Sequence, residues 1–258
     1  MSTVRLEFPA PRVAKVVLDR PEAANALTHS MFEELDAALD RIEGDDDIRV
    51  WILTGAPRAD GRPWFSAGMD LKAATQEVSS SIDPYAVVNR IDDLLKPSIA
   101  VIEGFCTTGA LELAMACDLR VTGAGARLSD WHLKMSGLGI GGWGAAARLS
   151  RLVGVDKAKE LLLLSAEVDG TEAARIGLVN RAVPDDQVQA VGLEMALAIA
   201  AMPRRGVKAT LGYLALQADM SKREAMHWAQ LAPALMNLEL RPFKDAGERF
   251  VQGRESTG

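Results

Sequence analysis

Short apolar runs alternate with amphipathic stretches along most of this chain, and their periods predict an α/β order. Residues 4–8 and 13–18 switch between apolar and polar side chains with period two, as half-buried strands do, and Pro9, Ala10 and Pro11 make the turn between them. Over 28–42 the spacing changes: Met31, Leu35, Ala38, Leu39 and Ile42 recur every three to four residues. That predicts a helix capped by Thr28 and stopped by Gly44. A buried strand at 50–53 follows, then a loop over 56–64 rich in Pro, Gly and Arg. The remaining elements expected in the first 183 residues are a helix at 85–95 ended by Pro97, strands at 98–102, 119–122 and 178–183, and helices at 109–116, 155–164 and 171–177. A glycine-rich stretch spans 136–144. Alternating strand and helix favours a layered α/β architecture.

From Asp185 onward the strand pattern disappears. Residues 185–202, 207–218, 221–238 and 242–251 all read as helices, and the tail at 254–258 reads as frayed. A boundary near Met202 and Pro203 separates a core, residues 1–202, from a helical region, residues 203–258. At about fifty residues that region is too small to be expected to stand alone. It is expected to pack on the core or on a neighbouring subunit.

Composition narrows the function classes. The 258 residues are 48% hydrophobic and 25% charged, with a net charge of −6, so the basic footprint of a nucleic-acid binder is missing and an anionic membrane surface is disfavoured. No apolar run approaches the ~18 residues of a membrane span. The N-terminus does not read as a signal peptide, so a cytoplasmic protein is expected. Cys106 and Cys117 lie apart in apolar surroundings and histidines stand only at 29, 132 and 227. Two buried thiols are expected, with neither a disulfide framework nor a metal site. The glycines at 136–144 lack the spacing and strand context of a dinucleotide fingerprint. Ser66 and Ser136 have no readable histidine and acid around them.

Two stretches carry chemistry. Residues 64–72 (Trp-Phe-Ser-Ala-Gly-Met-Asp-Leu-Lys) place small side chains where a backbone can approach a ligand, with Asp70 near a helix start. Residues 102–118 run from a strand end through a small-residue turn at 107–110 into a helix carrying Glu112 among Leu111, Leu113, Ala114 and Met115. An acid in such company is either buried, with a raised pKa suited to proton transfer, or bonded to its own helix start in a capping box from Thr108 or Gly109. Free amides at two such turns could together form an oxyanion hole.

At these residues a resemblance becomes specific. Phe65 to Lys72 resembles the F-x-A-G-x-D-[LI]-K signature of the enoyl-CoA hydratase/isomerase (crotonase) superfamily. Thr107 to Ala114 resembles its x-G-G-G-x-E-L-A signature, and Leu18 to Leu27 is similar to its L-x-R-P-E-x-x-N-A-L. The resemblance implies a spiral of repeated ββα units with a C-terminal helical region that mediates trimerisation and covers the active site; trimers, or dimers of trimers, are the implied assemblies. The implied substrate is an acyl-CoA thioester, with coenzyme A carried as part of the substrate and no separate cofactor. The Met69 and Gly109 amides would hold the thioester oxygen and Glu112 would be the first catalytic acid. Ala24, Ala26, Leu27, Ala67, Gly68, Asp70, Leu71 and Lys72 would line the path of the CoA chain.

The sequence also departs from the pattern. Where hydratases of this family carry a second glutamate in P-E-x-x-x-G, residues 128–144 contain none. Counting back from Gly144 puts Lys134 there; aligning Trp131 and His132 instead needs a two-residue insertion. Asp130 and His132 are the nearby groups able to replace it, and on an extended segment both would share one face. Otherwise His132 would bond in the wall or at a subunit contact, and Asp130 would pair with Lys134 or Arg127. Ala24 stands where many members have a basic residue, leaving phosphate contacts to Arg20, Lys72 or Lys244. The expected reaction is addition or removal of water on a 2-enoyl-CoA. The alternatives are isomerisation, hydrolysis or decarboxylation on the same enolate, or a catalytically weak CoA-ester binding subunit.

Overall fold

The computed structural model describes residues 2–73 and 81–235, with positions 245, 247, 248 and 250 beyond them. The backbone divides into two compact units at Ala201 and Met202. The first opens with β1 (Val4–Ala10) and β2 (Val13–Leu18), then α1 (His29–Gly44) and β3 (Val50–Gly55). Thr28 caps α1 by accepting the Met31 amide at 3.3 Å, and the helix buries the apolar stripe its spacing predicts. Next come α2 (Pro84–Asp93), β4 (Ser98–Ile102), β5 (Phe105–Thr107), α3 (Gly109–Ala116), β6 (Leu119–Gly123) and β7 (Arg127–Ser129). The unit closes with α4 (His132–Ser136), α5 (Ala145–Val153), α6 (Val155–Leu164), β8 (Glu167–Asp169), α7 (Gly170–Arg175), β9 (Arg181–Val183) and α8 (Val188–Ala200).

Two sheets result. The larger has the order β1-β2-β3-β4-β6-β9, antiparallel only at β1/β2 and parallel at the other pairs. Every residue of β3 and β4 is buried, as strands covered on both faces must be. One apolar cluster joins α1, α2 and α3 to the side chains of Leu18, Trp51, Leu53 and Ile102; the other joins α8 to Ile52, Ile99, Val101 and Val121. The smaller sheet has the order β5-β7-β8. β4 feeds the large sheet and β5 the small one before α3, and β6 and β7 repeat the step, giving a spiral of ββα units. Gly104, at φ +61°, makes the corner between β4 and β5, where any Cβ would strike the Pro63 carbonyl.

Arg120 anchors the far end of α3. Its buried guanidinium donates to the carbonyls of Cys117 at 2.6 Å and Leu178 at 2.9 Å, cationic donors at a helix C-terminus. Both cysteines are buried and unbridged.

The expected elements are found with four adjustments. β1 runs on through Pro9 to Ala10, which pairs with Val13, so the turn expected at 9–11 falls at Pro11 and Arg12. The strand expected at 178–183 is confined to β9. The small-sheet strands, together with α4 and α5, were not expected from the pattern. The helix expected at 185–202 begins as a 3-10 turn at Asp185–Gln187 before α8. In the second unit α9 (Arg204–Gln217) and α10 (Lys222–Leu235) pair through a bond from Tyr213 Oη to the Ala225 carbonyl at 2.6 Å. The helix expected at 242–251, the end of that at 221–238, the tail at 254–258 and Lys244 lie outside the described residues, apart from isolated positions. Among the described residues no helix is long and apolar enough to cross a membrane, and no group of three acids, histidines or cysteines could hold a metal ion.

Leu53 is fully buried at the centre of the larger sheet. Leu53→Ala is expected to cost about 2–5 kcal/mol, read as a lower denaturant midpoint with unchanged slope. A loss below about 1 kcal/mol would show that this sheet does not carry the core.

Candidate active site

The residues singled out at 65–72 and 107–112 meet at the edge where the chain leaves the small sheet. Ser66 pairs in parallel with Cys106. The Phe65 and Ser66 amides donate to the Phe105 carbonyl at 3.0 and 3.2 Å, and Thr107 N donates to Ser66 O at 3.4 Å. Continuing that register by three residues brings Met69 level with Gly109. On its other side Met69 forms a parallel bridge with Leu27: Leu27 N donates to Gly68 O and Asp70 N to Leu27 O, both at 2.8 Å. That pattern turns the Met69 N–H away from Leu27. Gly109 is the first residue of α3, so its N–H has no intrahelical acceptor. Among the described residues neither amide donates a hydrogen bond.

Close approach of the two strands depends on backbone shape. Gly68 has φ +82°, and a Cβ there would lie 2.8 Å from Thr107 O and 3.2 Å from Gly109 N. Thr108 has φ 57° and ψ −118°, a costly conformation for a β-branched residue. It is held by its N–H to Ser129 O at 2.9 Å and by its hydroxyl, which accepts Trp131 N at 3.3 Å.

Glu112 is fully buried on α3. It does not cap its own helix: Oε1 accepts the amides of Trp143 at 2.7 Å and Ala145 at 2.9 Å, from the turn leading into α5. Gly141, at φ +83°, lies so close that a methyl group would collide with Oε1. Oε2 has no hydrogen-bond partner and faces His132 Nε2 at 3.5 Å, a contact too long for a hydrogen bond. Burial raises the pKa of Glu112, and the Asp130 charge adds to it; the two amides and His132 pull the other way without cancelling the rise.

Asp130 and His132 come together as expected, but not on an extended segment. The chain turns into α4 at His132, and Asp130 follows the turn: Oδ1 accepts His132 N at 3.0 Å while Oδ2 lies 2.9 Å from Nδ1. Nδ1 therefore carries a proton toward Asp130, which leaves Nε2 toward Glu112. Burial alone would lower the pKa of the imidazole; its bond to Asp130 and the charges of Asp130 and Glu112 outweigh that and raise it. Arg127 pairs with Glu167 at 3.3 Å, and Lys134 lies over the Trp131 ring, so neither holds Asp130.

Ala24, Ala26 and Leu27 lie directly against Ala67, Gly68 and Asp70: Ala67 N donates to Ala24 O at 3.1 Å, and Arg20 Nη1 reaches Ala26 O at 2.5 Å and Asp70 at 3.1 Å. Arg20 thus braces this loop instead of standing free for a phosphate. Asp70 also accepts the amides of Lys72 and Ala73. Leu71 and Lys72 are exposed beside it.

Three participants were not singled out from the sequence. The buried Asn25 side chain accepts Arg20 N and donates toward the carbonyls of Ala56, Trp64 and Phe65, tying the 24–27 segment to the 65–69 segment. Its signal was its place in the 18–27 motif. Trp143 packs its ring on Gly109 and, edge to face, on Phe32 while its amide holds Glu112. Ala145 acts through its amide alone, which leaves no trace in side-chain pattern.

Two undonated backbone amides, one in the bridged segment at Met69 and one at the start of α3, together with a buried carboxyl group whose pKa is raised, are the features of an α/β enzyme site. The chain belongs to the enoyl-CoA hydratase/isomerase family, whose model matches residues 10–233. It is 36% identical over 191 residues to a short-chain-enoyl-CoA hydratase of Clostridium acetobutylicum, covering 72% of this chain and 70% of that protein. An enoyl-CoA hydratase of Mycobacterium tuberculosis is 38% identical over 218 residues, covering 81% of this chain and 79% of the relative. Among solved structures, an enoyl-CoA hydratase subunit of Geobacillus kaustophilus superposes with TM-score 0.85 at 25% identity, covering 98% and 96% of the two chains. A monofunctional enoyl-CoA isomerase of M. smegmatis superposes with TM-score 0.72 at 33% identity, covering 87% and 98%.

The raised pKa of His132 means that proton binding favours the folded state. Its contribution is complete below the ordinary imidazole value of 6.5 and is lost as pH rises through the higher folded value. The stability gap between the parent and His132→Gln, from urea unfolding at a series of pH values, is expected to narrow across that window. A gap independent of pH would show that the ring is not charged in the fold.

Proposed function

We propose that this enzyme hydrates a 2-enoyl-CoA thioester, or dehydrates the corresponding 3-hydroxyacyl-CoA, with Glu112 and His132 as its pair of acid/base groups. One observation carries the reading: the Glu112 carboxylate is tied at Oε1 and open at Oε2 toward a histidine backed by Asp130. The Met69 and Gly109 amides would take the thioester oxygen, each such donor supplying ~3–4 kcal/mol to a developing oxyanion. Glu112 would accept a proton from water as its oxygen bonds to the β-carbon. The C=C electron pair moves onto the carbonyl as an enolate, and the α-carbon then takes a proton from the His132 imidazolium. Transfer of the proton from Glu112 to His132 restores both groups. Asp130 would hold the imidazole in the tautomer this needs. The segments at 24–27 and 67–72 would bind the CoA chain.

A second reading, isomerisation, draws on the missing second glutamate and on the likeness to an isomerase. One carboxylate can move a proton between two carbons of the same enolate. Hydrolysis or decarboxylation on that enolate, or binding of a CoA ester without turnover, are the remaining outcomes of the same assay. Short 2-enoyl-CoA, 3-enoyl-CoA and saturated acyl-CoA thioesters, with malonyl-type esters, would be incubated and read by mass. Gain of water on the 2-enoyl ester is expected. Glu112→Gln is expected to lower kcat by about 10²–10⁴, and His132→Gln by a comparable factor. No mass change on the 2-enoyl ester, together with a shifted double bond on the 3-enoyl one, would replace hydration by isomerisation. A full-rate His132→Gln would remove the histidine from the chemistry.

We infer in addition that the chain works as a homo-oligomer, a trimer or a dimer of trimers. In the first unit the exposed Ile140, Val155 and Leu163 line an apolar cavity of about 350 Å³ between α4, α5 and α6, and large apolar patches mark contact surfaces. Sedimentation is expected to give the mass of three or six chains of 27.7 kDa. A monomer at micromolar concentration would refute this.

A further inference from the structure

The two amides that hold Glu112 sit in a backbone with little stiffness of its own. Trp143 lies among Gly141, Gly142 and Gly144, and two of these have positive φ, +83° and +95°. Glycine leaves a segment free to populate many conformations, so the aim of its N–H groups needs an outside constraint. Between the two donors, Trp143 N and Ala145 N, lies the Trp143 carbonyl. That carbonyl accepts Arg148 Nε at 3.1 Å. The guanidinium is itself held on its other edges, donating to Asn89 Oδ1 at 2.8 Å and to Asp92 Oδ2, both on α2. Its side chain is only 12% exposed. The planar fork of an arginine can meet three acceptors in fixed directions, which a lysine cannot do.

We propose that Arg148 is a positioning residue: by gripping the carbonyl between the two donor amides, it aims both at Glu112 Oε1 and ties the direction of that carboxylate to α2. The charged groups facing Glu112 are His132, on α4, and Asp130, just before it; the turn before α5 contributes amides. The partners of Arg148 are Asp92 and Asn89, and Asp92 also feels Arg120 and Asp93. Arg148 therefore acts on Glu112 through the backbone it orders. Loosening that backbone weakens hydrogen bonds made to the ionised carboxylate, which favours the protonated form.

The effect on kcat rests on the proposed role of Glu112, but the aim of the amides can be read without turnover. The carboxyl stretch of Glu112, identified as the infrared band absent from Glu112→Gln, is titrated with pH in the parent, Arg148→Met and Arg148→Lys. In both arginine variants Glu112 is expected to lose its proton at higher pH than in the parent. The acid limb of kcat should move the same way, kcat should fall about tenfold for the weakened bonds, and KM should change less. A methionine variant that titrates at the parental pH, whatever its thermal stability, would reduce Arg148 to a packing role. A lysine variant matching the parent would show that charge alone suffices and would equally overturn the proposal. Should Arg148→Met not fold, the double variant Asn89→Ala, Asp92→Asn frees the guanidinium from α2. It is expected to shift the band in the same direction by less, and no shift overturns the tie. Full activity in Glu112→Gln would sink the proposed chemistry while leaving the infrared result to judge Arg148.

Discussion

The site depends on a hydrogen-bond arrangement at one carboxylate oxygen. Two main-chain amides close on Glu112 Oε1 and leave Oε2 without a bond in a buried place. A buried, unpaired acceptor carries a desolvation cost of about 1–3 kcal/mol, and the fold sustains it. The large sheet and the helices on its faces fix α3, Arg120 holds the end of that helix, and the turn before α5 reaches across to its start. Burial and bonding then act in opposite directions on the same proton. Desolvation favours the acid; the amides and the imidazole favour the carboxylate. The balance falls on the side of the acid, so the Glu112 carboxyl holds its proton to higher pH than a solvated glutamate does.

A second acid/base group need not be a glutamate. The chain lacks that residue, and the geometry offers Asp130 and His132 instead, with the imidazole between two carboxyl groups. The pKa of a histidine in that position is raised by its neighbours despite its burial. In the proposed hydration this histidine would be the group that gives a proton to the α-carbon. This cluster stands where the family pattern has its second glutamate, and the fold around it is unaltered.

Legibility from sequence followed element size and the kind of atom involved. α1 was readable because Met31, Leu35, Leu39 and Ile42 repeat over several turns. β5, β7 and β8 were not, since three residues are too few to show alternation. α4 begins where an extended segment had been weighed for Asp130 and His132, because Asp130 accepts the His132 amide and turns the chain. The same distinction runs through the site. Glu112 could be picked out because an acid is unusual among its apolar neighbours, and Asp130 and His132 because they stand near the place of the missing second glutamate. The amides of Trp143 and Ala145 could not, because any residue supplies an amide. Asn25 was visible only as a letter in a motif, although its side chain joins three stretches of chain.

The parallel pairing of Ser66 with Cys106 places residues 69 and 109 side by side without regard to the path between them. Insertions or deletions in the connection from one strand to the other would leave those two amides where they are. The connecting chain can therefore be rebuilt, lengthened or trimmed over evolution as a separate module while the paired amides are inherited intact.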